Sequence, residues 1–89
     1  MLVRVLLFAS AREAAGRAHD SFELPEHATV HDLLTRADAR YGPAFTAVRA
    51  TSRVWVDGDE PAAGDATPLA QGAEVAVLPP VSGGAGAST

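Results

Sequence analysis

Two adjacent glycines, Gly83 and Gly84, follow directly on Pro79, Pro80, Val81 and Ser82. Glycine lacks a Cβ, so a pair of them can enter a narrow channel and bring a backbone carboxylate up to a reacting group. Pro79 and Pro80 stiffen the approach and stop the preceding segment from pairing further. Val81 is the one apolar side chain on the thread and could anchor it. The chemistry that suits this spacing is delivery of a carboxylate at the end of a thread into another protein's active site. Ala85 to Thr89 come next, however, and hold that carboxyl group in a peptide bond. By composition alone, the same stretch is an ordinary Gly/Ala/Ser chain end.

No other constellation competes. His27 and His31 stand four apart, but His27 precedes the helix expected from Thr29 and no third ligand follows at metal spacing, so no metal site is expected. Asp57, Asp59 and Glu60 crowd one turn and read as a solvated hairpin, not an acid/base pair. With no cysteine there is no thiol nucleophile, thiolate metal site or disulfide framework. No nucleophile is placed beside a base, so the chain is not expected to catalyse a reaction alone or to bind a cofactor.

Charge narrows the partners. Residues 1–53 hold seven arginines against six acids, and residues 54–89 hold five acids and no base, for a net charge of −4. The acidic half would be repelled by nucleic-acid phosphates and suits a basic protein, with steering that weakens as salt rises. There is no lysine, so the chain cannot accept an isopeptide bond through a lysine side chain. No basic leader and no apolar run of membrane-spanning length is apparent, which sets a soluble cytoplasmic protein as the expectation.

The elements that must position the thread follow from periodicity. Eighty-nine residues, 47% of them hydrophobic, make one small domain, expected over 1–80, with 81–89 as a flexible tail. Leu2 to Phe8 is a strand with Val3, Val5 and Leu7 on one face. Ala9 to Ala15 is a short helix or turn ending at Gly16. His19 to Leu24 alternates, placing Phe22 and Leu24 together, and pairs with the first strand. Thr29 caps the main helix, with Asp32 in its first turn and an apolar stripe of Val30, Leu33, Leu34, Ala37 and Tyr41. Gly42 and Pro43 read as its stop, and Ala44 to Ala50 as a further short turn. Arg53 to Asp57 is a strand leading into the Asp57–Gly58 turn. Thr67 to Leu69 is a short extended piece, and Glu74 to Leu78, apolar on both faces, is a central last strand. The order predicts an α+β fold, a β-grasp or ubiquitin-like roll, with a mixed sheet of four to five strands and one main helix.

Two segments, in the right order, resemble the MoaD/ThiS family of sulfur carriers. Phe8 to Gly16 reads F-A-S-A-R-E-A-A-G, similar to that family's F-A-x-x-R-E-x-x-G stretch. Leu69 to Gly84 reads L-A-Q-G-A-E-V-A-V-L-P-P-V-S-G-G, similar to its L-x-x-G-D-E-V-A-x-x-P-P-V-x-G-G ending. Val56 to Gly58 stands where the family has a V-N-G turn. The P-P-V-x-G-G ending favours the molybdopterin branch over the thiamine-type carriers. The resemblance implies that a MoeB/ThiF-like activating enzyme uses ATP to adenylate Gly84, after which a sulfur donor converts the adenylate to a thiocarboxylate. It further implies that Pro80, Val81, Ser82 and Gly83 insert into a MoaE-like large synthase subunit, where sulfur passes to a pterin precursor.

Ala85 to Thr89 depart from that pattern. A protease, such as the zinc-dependent JAMM-type peptidases that mature related carriers, could remove them. Otherwise Thr89 is itself the working terminus, or the chain is an interaction domain without covalent chemistry. The sulfur could also serve another pathway: cysteine, thiamine or a specialised metabolite. Three further residues are open. Phe8 reads first as core and second as a partner contact. Arg12, with Glu13, reads as a solvated helix face, or as a polar contact to a partner or to the tail's base. Trp55 reads as core, or as an interface anchor.

Overall fold

A computed structural model describes residues 1–80. Four strands form one mixed sheet: β1 (Leu2–Leu7), β2 (His19–Glu23), β3 (Arg53–Val56) and β4 (Glu74–Leu78), in the order β2-β1-β4-β3. β1 runs parallel to β4 and antiparallel to β2, and β3 is antiparallel to β4. The last strand is therefore central, as its composition predicts. Its second face is only half-covered, however, because Val75 and Val77 are buried whereas Ala76 and Leu78 are partly exposed.

Three helices cover one side. α1 (Ala9–Ala15) ends at Gly16 in the left-handed region, which glycine enters without Cβ strain. α2 (Val30–Tyr41) opens with a capping box: Thr29 Oγ1 accepts from the Asp32 amide, and Asp32 Oδ2 accepts from the Thr29 amide at 2.8 Å. Its expected stripe is buried through Val30, Leu33, Leu34 and Ala37, with Tyr41 half-buried at the rim.

The segment read as a short turn is a third helix, α3 (Pro43–Arg49), with Phe45 fully buried. Gly42 does end α2, but at φ +99° it swings the chain so that Pro43 becomes the first helical residue of α3. A proline there loses no hydrogen bond, because that amide would be unpaired in any case. The expected short extended piece makes a single bridge, Thr29 to Pro68, and not a fifth strand. A short 3-10 turn at Gly64–Ala66 precedes it.

Inward-facing Val3, Val5, Leu7, Phe22, Val75 and Val77 join Ala11, the α2 stripe and Phe45 in one core. Among the described residues no polar side chain is buried. At the β2 edge two carbonyls are occupied by α2 arginines: Arg40 donates to Ser21 O at 2.9 Å, and Arg36 to Glu23 O at 3.4 Å. That edge is thus shielded from pairing with another strand.

Candidate functional site

The site is the place where the thread leaves the sheet. β4 ends at Leu78, and Pro79 and Pro80 carry no amide hydrogen to continue the ladder. Pro79 is half-buried and Pro80 exposed. Parallel pairing of Leu7 with Val77 brings the start of α1 alongside, and the Phe8 amide donates to Val77 O at 3.3 Å. Phe8 also caps α1 through its carbonyl, which accepts from the Ala11 and Arg12 amides.

Pro79 and Pro80 line two depressions. One, about 460 Å³, is lined by Thr51, Arg53, Trp55 and Leu78. The other, about 350 Å³, is lined by Ser10, Ala47, Val48 and Thr51. The walls contributed by α3 and by Thr51 were not foreseen. The usable signal was Phe45 and Val48 at helical spacing behind a proline at the first helical position.

Beside the first depression, the uncovered sheet face carries an apolar row, bordered by the Arg4–Glu74 ion pair. Register places Leu6, Ala76 and Trp55 in one row across three strands, with Arg53 opposite Leu78. All three of that row are half-buried and turned away from the core. Trp55 is accordingly not a core residue, which corrects the first reading. It faces outward because Val54 and Val56, its neighbours in the alternation, take the inward positions. Phe8 is not core either: its side chain follows the last inward residue of β1, Leu7, and is 43% exposed. Leu2, 41% exposed, belongs to the same uncovered side. The Arg4–Glu74 pair separates Leu2 from the row of Leu6, Ala76 and Trp55, which lies nearer the exit point.

Arg12 is exposed on α1, and its guanidinium makes no hydrogen bond to a described residue, Pro79 and Pro80 included. Glu13 is also exposed. Of the thread, Pro80 is described, whereas Val81, Ser82, Gly83 and Gly84 lie outside the described residues, as does the proposed tail 81–89.

Displaced ionisations lie elsewhere. Burial pushes the Asp20 carboxyl up, but hydrogen bonds from Tyr41, the Ser21 amide and Arg40 outweigh it and hold the group at about 2. Burial, then the bond to Asp20, pushes the Tyr41 phenol up. Hydrogen bonding from Arg49 holds Asp38 low, tying α2 to α3. None of these groups lines either depression. Asp57 accepts from the Glu74 amide at 2.9 Å and Glu60 faces Arg53 at 3.5 Å, consistent with a solvated hairpin. His27 sits in a loop at φ +70°, and among the described residues no three His, Asp or Glu side chains gather as metal ligands. No helix of the described chain is long and apolar enough to cross a membrane.

Comparison with known proteins agrees in sequence and in shape. The family model described as the ThiS family matches residues 5–84. A molybdopterin synthase sulfur carrier subunit from Chlamydomonas reinhardtii is 38% identical over 84 residues, covering 94% of this chain and all of that one. Its counterpart from Caenorhabditis briggsae is 32% identical, over 92% of this chain and 96% of its own. The crystal structure of SAMP1 from Haloferax volcanii superposes with a TM-score of 0.80 at 29% identity, covering 92% of this chain and 98% of that one. The small archaeal modifier protein 1 of Methanosarcina acetivorans gives 0.79 at 28% identity, over 91% and 94%. The β-grasp architecture expected from the element order is thus shared with sulfur-carrier and modifier proteins, and the chain belongs to the ThiS family.

Proposed function

We propose that this chain is the sulfur carrier of a molybdopterin synthase, working through a thiocarboxylate at Gly84 once residues 85–89 have been removed. The observation that carries the reading is where the family match stops: it closes at Gly84, five residues before Thr89. The relatives named as molybdopterin synthase sulfur carrier subunits support the choice of pathway.

In this reading an activating enzyme attacks ATP with the Gly84 carboxylate, releasing pyrophosphate and leaving an acyl-adenylate. A sulfur donor displaces AMP, so one carboxylate oxygen is replaced by sulfur. The loaded thread, Pro80 to Gly84, then enters a large synthase subunit while the uncovered sheet face, Phe8 and Trp55 among its residues, rests against that partner. ATP belongs to the activating enzyme, and the chain holds no cofactor. The work is done in the cytoplasm, after a peptidase has trimmed the end.

The test is loading in vitro with the activating enzyme, ATP and a sulfur donor, read by intact mass. A chain ending at Gly84 is expected to gain sulfur while the chain through Thr89 stays inert. Equal loading of both would remove the trimming step, and loading of neither would remove the carrier role.

A second reading is favoured by the residues that follow Gly84. A β-grasp domain with that carboxyl in a peptide bond could bind a partner through its sheet and do no covalent chemistry. Gly84→Ala then leaves its cellular role intact, whereas the carrier reading expects cofactor synthesis to be lost.

A further inference from the structure

We propose that the fold offers no durable acyl acceptor within reach of Gly84, so an activated carboxyl there is transferred to a partner or to water and never to the carrier itself. The inference rests on Gly84 being the activated group. An acyl-adenylate or thioester is consumed by any nearby amine: the nitrogen bonds to the carbonyl carbon, AMP or thiol leaves, and the amine gives up a proton. The chain contains neither lysine nor cysteine, so no side chain supplies an amine or a thiol. All seven of its cationic side chains are guanidiniums, which remain protonated and do not attack.

One amine remains, on Met1, and the sheet places it at the wrong end. Because β1 and β4 are parallel with Leu7 beside Val77, Met1 lies at the opposite end of the sheet from Pro79. Six residues of strand separate Met1 from Leu7 and two more separate Val77 from Pro79, roughly 26 Å at about 3.3 Å per residue. The five residues from Pro79 to Gly84 reach at most about 18 Å fully extended. The Met1 ammonium is also engaged, donating to Leu24 O and facing Glu23 at 3.4 Å.

Among the described residues lining the exit, the hydroxyls are those of Ser10 and Thr51, and the sequence adds Ser82, two residues before Gly84. A neutral hydroxyl needs a base to attack, and no histidine or carboxylate lines either depression. His19 pairs with Leu6 two strands away from β4, about 10 Å. Its imidazole could be acylated, but an acyl-imidazole returns to the acid with water and stores no product.

The test bypasses the activating enzyme, so its result is independent of whether loading occurs. The chain ending at Gly84, which keeps every element and core residue of residues 1–80, is converted to its 4-mercaptophenylacetate thioester and followed by intact mass at mildly alkaline pH. Two variants place an amine beside the exit: Arg53→Lys, at a side chain 75% exposed whose ion pair is with Glu60, and Thr51→Lys, also exposed. The unmodified chain should yield only the free acid, as monomer. The variants should yield a self-amide one water lighter than the acid, about tenfold above the unmodified chain, from the millimolar effective concentration of a tethered amine. The proposal is overturned if the unmodified chain forms self-amide or covalent oligomers as readily as the variants. It is equally overturned if neither lysine variant exceeds the unmodified chain.

Discussion

The amide of Phe8 donates to the carbonyl of Val77 at 3.3 Å, joining the two segments that carry the family resemblance. One segment begins α1 and the other ends β4, nearly seventy residues later, and parallel pairing of β1 with β4 makes them neighbours. The consequence is an exit point at which both prolines line two depressions, one shared with Trp55 and Leu78 and the other with Ser10 and Val48.

Trp55 should matter for docking more than for folding. It lies on the uncovered face opposite Ala76, so Trp55→Ala should cost less than about 1 kcal/mol of stability. As an aromatic anchor it should cost about 2 kcal/mol or more in binding to the large synthase subunit. Phe45→Ala is the contrast: it empties a fully buried site and should cost about 3–5 kcal/mol of stability. Urea denaturation beside calorimetric titration of the complex separates the two. A Trp55→Ala protein as unstable as Phe45→Ala would return the tryptophan to the core.

Much of the frame was legible in the sequence, and the failures have one physical origin. The cap at Thr29, the stripe of α2, the stop at Gly16 and the central place of β4 all rest on local rules that tertiary structure left alone. Trp55 and Phe8 were read as core because an alternating apolar strand announces two faces without saying which will be covered. All three helices contribute to one core on one side, so the outward residues stay at least partly exposed. α3 was lost to a stop signal that is also a start signal: proline ends one helix and opens the next once Gly42 has turned the chain. The thread itself was legible only as a motif.

Acid should loosen the fold through Asp20. Its folded carboxyl sits at about 2, below the unfolded value near 3.9. The stabilisation is therefore complete above about pH 4 and disappears as pH falls through about 2. Asp38 and Asp32, both held low, act in the same direction. Asp20→Asn should cost about 1–3 kcal/mol at neutral pH, because Tyr41 and Arg40 lose a charged acceptor, and should flatten the decline between pH 4 and 2. Urea midpoints across pH 2 to 7 would show it. An unchanged acid slope in the variant would assign the decline to other groups.

Removal of the α2 cap should be felt directly. Thr29→Ala takes away the oxygen that accepts from the Asp32 amide and should cost about 1 kcal/mol. Thr29→Ser keeps the hydroxyl and should recover most of it. Thermal melts of the pair check this, and equal loss in both would place the effect in packing of the threonine methyl.

Delivery of a sulfur-bearing carboxyl at Gly84 is the role proposed for this β-grasp unit. Its most direct test is the intact mass of the protein isolated from its native cells while they make the cofactor. The expected species ends at Gly84 with one terminal oxygen replaced by sulfur. Finding only chain that continues through Thr89 would contradict it and leave a domain that binds without chemistry.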